Sequence, residues 1–399
     1  MKILFVAPYV PSRIRVRSFH FLCELAKRHQ IYVVALGECE AGKCEGVEEV
    51  MNAVHHFRVI PHSHVKGIIQ ALAALPSSSP MCSSFCRSGA AASAMSEIIS
   101  TEHPDLIHIE HLRAAHFAPQ SKSSPVLFDS VDCLTGLFRQ MAHSSRNPIK
   151  RLIMLEETLC LRRYEPKMLR TFDHIIITSE SELCELHSLD NRLNIDVIPN
   201  GVDTEYFSPM GSQKHPARII FSGKMSYAPN AQAAVWFAEN VFPVLCKTFP
   251  DVEYIIAGSG PPACVRQLSD IPNITVTGYV DDLRLYLDSS CAAIAPMQVA
   301  VGVQNKVLEA MAMGLPAVIS SAAARAFAPD CPGIIRADTA SEVIDAISQL
   351  ITNPKHAMQI GQDGRWHVIE HFSWQSSVTK LECIYDRLCS EYQVNRRLQ

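Results

Sequence analysis

Apolar residues along this chain gather in short β-rich runs separated by stretches long enough for helices. The first series reads KILFVA (2–7), IYVVAL (31–36), HHFRVI (55–60), DLIHIE (105–110), PVLFDS (125–130), HIIITS (174–179) and IDVIPN (195–200). A second follows in RIIFSG (218–223), EYIIAG (253–258), ITVTG (274–278), CAAIAP (291–296), AVIS (317–320) and GIIRA (333–337). Strands alternating with helical segments predict parallel sheets wrapped by helices, and two series predict two doubly wound α/β domains. Between them lies NGVDTEYFSPMGSQKHP (200–216), rich in Gly, Pro, Ser and Asp and without helical periodicity, which marks the boundary. A cleft is expected between the domains. Ligands of such sheets sit beyond the carboxyl ends of the strands, so the residues just after each run are the candidates for chemistry.

Composition narrows the function classes. At 399 residues the chain exceeds what one core usually supports, in agreement with two domains. A formal charge of −4 leaves no basic excess that would argue for nucleic acid. None of the 14 cysteines forms a Cys-x-x-Cys pair, and the nearest groupings, Cys39 with Cys44 and Cys82 with Cys86, lack histidines at zinc spacing. Reduced thiols in a cytoplasmic chain are the expectation. The N-terminal apolar run stops at Pro8, too short for a signal peptide. The uncharged stretch from Gly67 to Cys86 holds two prolines and five serines, which suits a short amphipathic helix and a loop better than a membrane span.

Several strand ends carry candidate chemistry. After the first strand, Arg13, Arg15 and Arg17 lead into a helix, a placement that suits an anion; the bland alternative is a solvated loop. His108, Glu110, His111 and Arg113 cluster at the tip of the fourth strand, where alternation sends His108 and Glu110 to the same face. For either histidine a structural role competes with catalysis. In the second domain Gly223 and Lys224 follow the first strand, with Asn230 near the next helix start, as an anion site would have them. Gly258, Gly260 and Ala263 fit a dinucleotide pattern, but they follow the wrong strand and run into Pro261 and Pro262, so a tight turn near a ligand is expected instead. In GVQNKVLEAMAMGLP (302–316) Asn305 and Lys306 open a helix, and Glu309 lies a turn further in. A phosphate there would meet N–H groups, the helix dipole and an ammonium, and Glu309 could accept from the vicinal hydroxyls of a ribose. Capping by Asn305 alone would leave Lys306 unfavourable against the dipole.

Three motifs in order, VIPNGVDTEYFSP (197–209), GYVDDLRLYL (278–287) and NKVLEAMAMGLPAV (305–318), resemble glycosyltransferase family 4, whose members have the GT-B fold. FSGKMSYAPN and GVQNKVLEAMA are similar, more narrowly, to the sugar transferases of bacterial exopolysaccharide clusters. The resemblance implies two Rossmann-like domains facing a cleft: residues 1–204 for the acceptor, with the closing helix 373–399 returning to them, and residues 205–372 for the donor. It also implies a retaining hexosyltransferase without an obligatory metal or other cofactor, the nucleotide-sugar being a substrate, in agreement with the lack of an Asp-x-Asp pair. Gly223, Lys224, Asn305 and Lys306 then contact the diphosphate, with Lys224 also assisting the leaving group. Glu309 holds the ribose and Tyr279 lies near the base. Glu110 falls where relatives often place a catalytic His, and His108 and His111 compete for that role. One departure is Val301, where many members carry the first of two glutamates.

The expected partners are a nucleotide-sugar donor and a glycan or lipid-linked acceptor. Eight Lys/Arg against three Glu between Arg139 and Arg170 suit peripheral contact with the inner face of an anionic membrane, although a solvated helix is the plainer reading. Two other classes remain beside transfer: a nucleotide-sugar-binding protein without activity and a nucleotide-sugar epimerase on the same architecture.

Overall fold

A computed structural model describes residues 1–37, 46–74, 79–119, 123–144, 147–300 and 302–398. Cys39, Cys44 and Val301 lie outside the described residues. The chain divides into two compact units, the first of residues 1–199 joined by the chain from Ser377 onward, the second of residues 200–376.

In the first unit every strand run becomes a strand: β1 (Lys2–Ala7), β2 (Gln30–Leu36), β3 (His56–Ile60), β4 (Leu106–Glu110), β5 (Val126–Asp129), β6 (His174–Ile177) and β7 (Ile195–Val197). They form a parallel sheet in the order β3-β2-β1-β4-β5-β6-β7. Leu4, Val6, Ile107, Ile109 and Phe128 fill a core on one of its faces. The order reverses direction at β1 and β4, and the crevice beyond their carboxyl ends is where such a sheet takes a ligand. The C-terminal helix Trp374–Leu398 joins this unit through buried Val378, Leu381 and Tyr385. Arg28 and His29 hold its Glu382, and its Arg387 pairs with Asp196 at 2.6 Å.

The second unit repeats the plan with β8 (Arg218–Ser222), β9 (Glu253–Ala257), β10 (Ile274–Gly278), β11 (Ala292–Ala295), β12 (Ala317–Ile319) and β13 (Ile334–Arg336), ordered β10-β9-β8-β11-β12-β13. Alternate residues feed opposite faces: Ile219 and Phe221 belong to one buried cluster, Ile220 to another. Its reversal lies at β8 and β11. The helix Asn305–Ala312 follows β11 and presents its N-terminus there.

The stretch from Gly67 to Cys86 becomes two short helices, His64–Ala73 and Met81–Phe85. Among the described residues no helix is long and apolar enough to cross a membrane. The twelve described cysteines are free, and among the described residues no group of three or more His, Cys, Asp or Glu is arranged to hold a metal ion.

Candidate functional site

The second unit collects its expected residues at its reversal point. Gly223 has φ +145°, and a Cβ there would lie 2.9 Å from the Asn230 amide nitrogen and 3.3 Å from the Lys306 ammonium. The loop after β8 can therefore pass this close to Lys306 only as glycine. Gly258 also has φ +145°, and its Cβ would fall 1.8 Å from the Gly223 carbonyl oxygen. The tight turn expected at Gly258 and Gly260 is thus packed directly against the Gly223 loop, while Ala263 opens the short helix that follows.

Lys306 is held rather than free. Its ammonium donates to Asn230 Oδ1 at 2.5 Å and lies 4.7 Å from the Phe221 ring centroid. Asn230 in turn donates from Nδ2 to the Lys224 carbonyl at 2.9 Å, so one amide ties the Lys306 side chain to the loop after β8. Burial lowers the Lys306 pKa to about 7, with Glu309 acting in the opposite direction. Burial likewise raises Glu309 to about 7 against the pull of Lys306. Two groups poised near neutrality will each change charge readily when a charged ligand enters. The helix is preceded by Gln304 as its N-cap, and Asn305 makes no capping bond, so the bland explanation of Asn305 as a cap does not hold. Its Oδ1 is buried with no hydrogen-bond partner among the described residues.

Lys224 is exposed at the same loop, and among the described residues its ammonium has no ion pair. Tyr279 follows edge strand β10 and is 66% exposed, and no described contact joins it to the Lys306 group. Sequence reasoning did not find the brace role of Asn230. Its signal was a polar residue in the first turn of the helix Ala228–Asn240, at a position the fold buries.

At the first unit's reversal point the structure separates residues that the sequence grouped. His108 is fully buried: its Nδ1 is 2.6 Å from the Tyr385 hydroxyl, its ring stacks on Phe5, and its Nε2 lies 3.7 Å from Asp129. Burial lowers its pKa although Asp129 pulls the other way. His108 is a structural residue sealed behind the strand tip, which corrects the expectation that it faces ligand. Arg17 is corrected likewise. It lies inside the helix Val16–Leu25, 4% exposed, bound to Asp129 at 2.6 Å and to the Ile198 carbonyl at 2.9 Å. Burial would raise Asp129, but Arg17 and His108 outweigh it and hold the carboxyl below its ordinary range. Arg13 pairs with Glu49 at 2.7 Å. Among the described residues Arg15 is in no ion pair and lies 4.3 Å from the Tyr9 ring centroid.

Glu110 accepts from the Tyr9 hydroxyl at 2.7 Å, and burial followed by the nearby Asp129 raises its pKa to about 7. His111 adopts φ +70°, a strained left-handed conformation for a non-glycine residue, and its N–H donates to the Asp129 carbonyl at 2.6 Å. Burial, then Arg113 and Arg15, lowers its ring to about 3. The Arg113 N–H donates to Nδ1 at 3.2 Å, which leaves the neutral ring's proton on Nε2.

Residues 16–206 match the family described as Glycosyltransferase Family 4, and residues 216–353 the family described as Glycosyl transferases group 1. Among curated proteins the chain is similar to an MMP α-(1→4)-mannosyltransferase of Mycolicibacterium hassiacum, 26% identical over 206 residues, 48% of either chain. It is also similar to an uncharacterised 44.6 kDa protein in the cps region of Klebsiella pneumoniae, 22% identical over 183 residues, 44% of this chain and 46% of that one. The chain spans about half the length of the curated relatives it matches. In fold it is similar to the Anabaena protein HepE, solved in complex with UDP, with a TM-score of 0.69 and 12% identity over 97% of this chain and 100% of that one.

Proposed function

The chain belongs to the glycosyltransferases of family 4 and group 1 and has their GT-B fold, and on that footing we propose that it moves a hexosyl group from a nucleoside diphosphate sugar, with retention, to a glycan or lipid-linked acceptor in polysaccharide synthesis. The observation that carries this reading is the brace of Gly223, Asn230 and Lys306 at the reversal point of the second unit. In it an ammonium, glycine backbone and the Asn305 helix terminus converge, the donor set that a diphosphate requires. The second unit, residues 200–376, takes the donor; the first, residues 1–199 with the chain from Ser377 onward, takes the acceptor.

Lys224, Lys306, Gly223 and Asn305 hold the diphosphate, Glu309 accepts from the ribose hydroxyls, and Tyr279 lies by the base. As the bond from the anomeric carbon to the phosphate oxygen breaks, the electron pair goes to the diphosphate, where the lysines and helix terminus stabilise it in place of a metal. The acceptor hydroxyl attacks the oxocarbenium-like carbon from the side the leaving group vacates, without an enzyme nucleophile, and gives its proton to the departing diphosphate oxygen. His111 with its Nε2–H, and Glu110 behind it, are the groups of the first unit suited to meet the sugar. UDP, the nucleotide seen with HepE, is the first base to test. Neither a binder without transfer nor an epimerase is favoured by the family matches.

Peripheral membrane contact belongs to the same reading and rests on the helix Pro148–Leu169. Its buried face carries carboxylates: Glu157 accepts from the Met81 and Cys82 N–H groups, and Glu165 from those of Leu134 and Thr135. Leu161 and Leu169 are buried beside them, while several large apolar residues face outward, with Ile149 70%, Leu152 69% and Leu159 60% exposed. Lys150, Arg151, Arg162 and Arg163 are exposed on the same helix. An apolar face flanked by cations fits the anionic surface of a bilayer.

The test is calorimetric titration of UDP-sugars into wild type, Glu309→Ala and Lys306→Ala, followed by donor hydrolysis and acceptor screening. Binding of one donor by wild type and its loss in both variants is expected. Failure of every nucleotide-sugar to bind wild type would overturn the reading.

A further inference from the structure

The first unit has a crevice of about 380 Å³ at its reversal point, lined by residues after β1, β3 and β4 and by Leu36 and Gly37 at the end of β2. Tyr9, Ser12 and Arg15 enter it after β1, His62 after β3 and Arg113 after β4. Among the described residues no carboxylate lines it. We propose that this crevice is an anion subsite in which Arg15 and Arg113 grip a phosphate group carried by the acceptor. The proposal rests on the reading of the first unit as the acceptor side, and it names the acceptor class: a sugar phosphate, or a sugar joined to lipid through phosphate.

Several other arginines of the unit are matched with carboxylates, whereas Arg151, Arg162 and Arg163 lie exposed on a separate helix. Arg13 is matched with Glu49, Arg17 with Asp129, Arg28 with Glu382, Arg58 with Glu97 and Arg139 with Glu185. Arg15 and Arg113 come from different strand ends, share one concavity, and among the described residues neither guanidinium has an ion pair or hydrogen bond. Two cations lining one concavity with no ion pair among the described residues favour a ligand of about two negative charges, which a phosphate monoester supplies. Their planar forks suit phosphate oxygens.

The subsite is also built. Arg15 rests over the Tyr9 ring, and the Tyr9 hydroxyl is fixed by its bond to Glu110, so the guanidinium is positioned before ligand arrives. Arg15 is the N-cap residue of the helix Val16–Leu25, whose start has no side-chain capping bond and no acid in its first turn. The partial positive charge of that helix end therefore adds to the two arginines. His62 contributes a buried Nε2 that has no hydrogen-bond partner among the described residues. His111 registers the field: after burial, the charges of Arg113 and Arg15 hold its ring neutral. The crevice has room for a hexose beside the phosphate.

The experiment measures binding by calorimetry to wild type, Arg15→Gln, Arg113→Gln and, as a control, Arg58→Gln, whose arginine is paired with Glu97. The soluble probes are glucose 6-phosphate, inorganic phosphate and uncharged glucose. The lipid probe is phosphatidylcholine vesicles with and without a polyprenyl phosphate. Either phosphate source should bind wild type, with affinity at least about tenfold weaker in Arg15→Gln and Arg113→Gln and within twofold in the control. Binding of the soluble probe assigns a free sugar phosphate, and binding of the loaded vesicles alone assigns a lipid-linked one. Binding of glucose as tight as that of glucose 6-phosphate, equal binding by all four proteins, or no binding of any phosphate would overturn the proposal. UDP titrated into the same samples separates the two readings: loss of UDP binding in wild type removes the donor assignment, whereas the arginine variants bear on the anion subsite alone.

Discussion

Replacing Lys306 by Met tests the donor site most directly, because Met keeps the length that packs over Phe221 and removes only the charge. A phosphate about 4 Å from the ammonium, in surroundings of effective dielectric about 20, gains about 4 kcal/mol from it. Part of that is returned as desolvation. With a pKa of about 7 in the free protein, Lys306 is half charged at neutral pH, so completing its protonation on binding costs about 0.4 kcal/mol. A net loss of about 2–3 kcal/mol remains, which is a rise of roughly 30- to 150-fold in the dissociation constant of UDP or its sugar. Folding should be little affected: Asn230 loses a donor at a cost of about 1–2 kcal/mol, and relief from a buried ammonium offsets it.

The assay is calorimetry from pH 5.5 to 9. Wild-type affinity should fall above pH 7 as Lys306 loses its proton, and below pH 7 as Glu309, raised to about 7, gains one. In Lys306→Met the alkaline decline should flatten, and the acidic decline should move to higher pH because Glu309 has lost the cation that lowered it. Donor binding within threefold of wild type and an unchanged pH profile would refute the reasoning.

Three further outcomes are expected. Arg17→Met strands Asp129 in the core and should cost about 3–5 kcal/mol in urea unfolding of the first unit. Asp129 has a depressed pKa, so its contribution is present above the ordinary carboxylate range and is lost on acidification; the gap between variant and wild type should shrink there, and a pH-independent gap would count against the ion pair. Gly258→Ala drives a Cβ to within 1.8 Å of the Gly223 carbonyl and should lower stability by at least ~2 kcal/mol together with donor affinity, whereas Gly89→Ala, at an open helix start, should be neutral or slightly stabilising in the same melts. Leu152→Ser with Leu159→Ser should abolish co-sedimentation with vesicles rich in phosphatidylserine while leaving UDP affinity intact; undiminished sedimentation would remove the helix Pro148–Leu169 from the membrane reading.

The sequence by itself determined the strands and their grouping into two sheets, because a buried parallel strand must be an apolar run and a crossover helix must separate it from the next. It also set Gly223 just after a strand and Lys306 and Glu309 at the start of a helix, because strand ends and helix starts are legible from local pattern. What it did not carry was which polar side chains meet. Arg13, Arg15 and Arg17 read alike as a basic loop, but only the folded chain brings Glu49 to the first and Asp129 to the third, and among the described residues the second is in no ion pair. His108 and Glu110 alternate onto the same face, yet packing against Tyr385 and Phe5 closes off the histidine. In the helix Pro148–Leu169 the fold buries Glu157 and Glu165 beside Leu161 and Leu169 and leaves Leu152 and Leu159 outside, because the starts of two other helices need acceptors there. Hydrophobic periodicity is a local property of the chain, whereas the pairing of charges depends on residues that only the tertiary fold brings within a few ångströms.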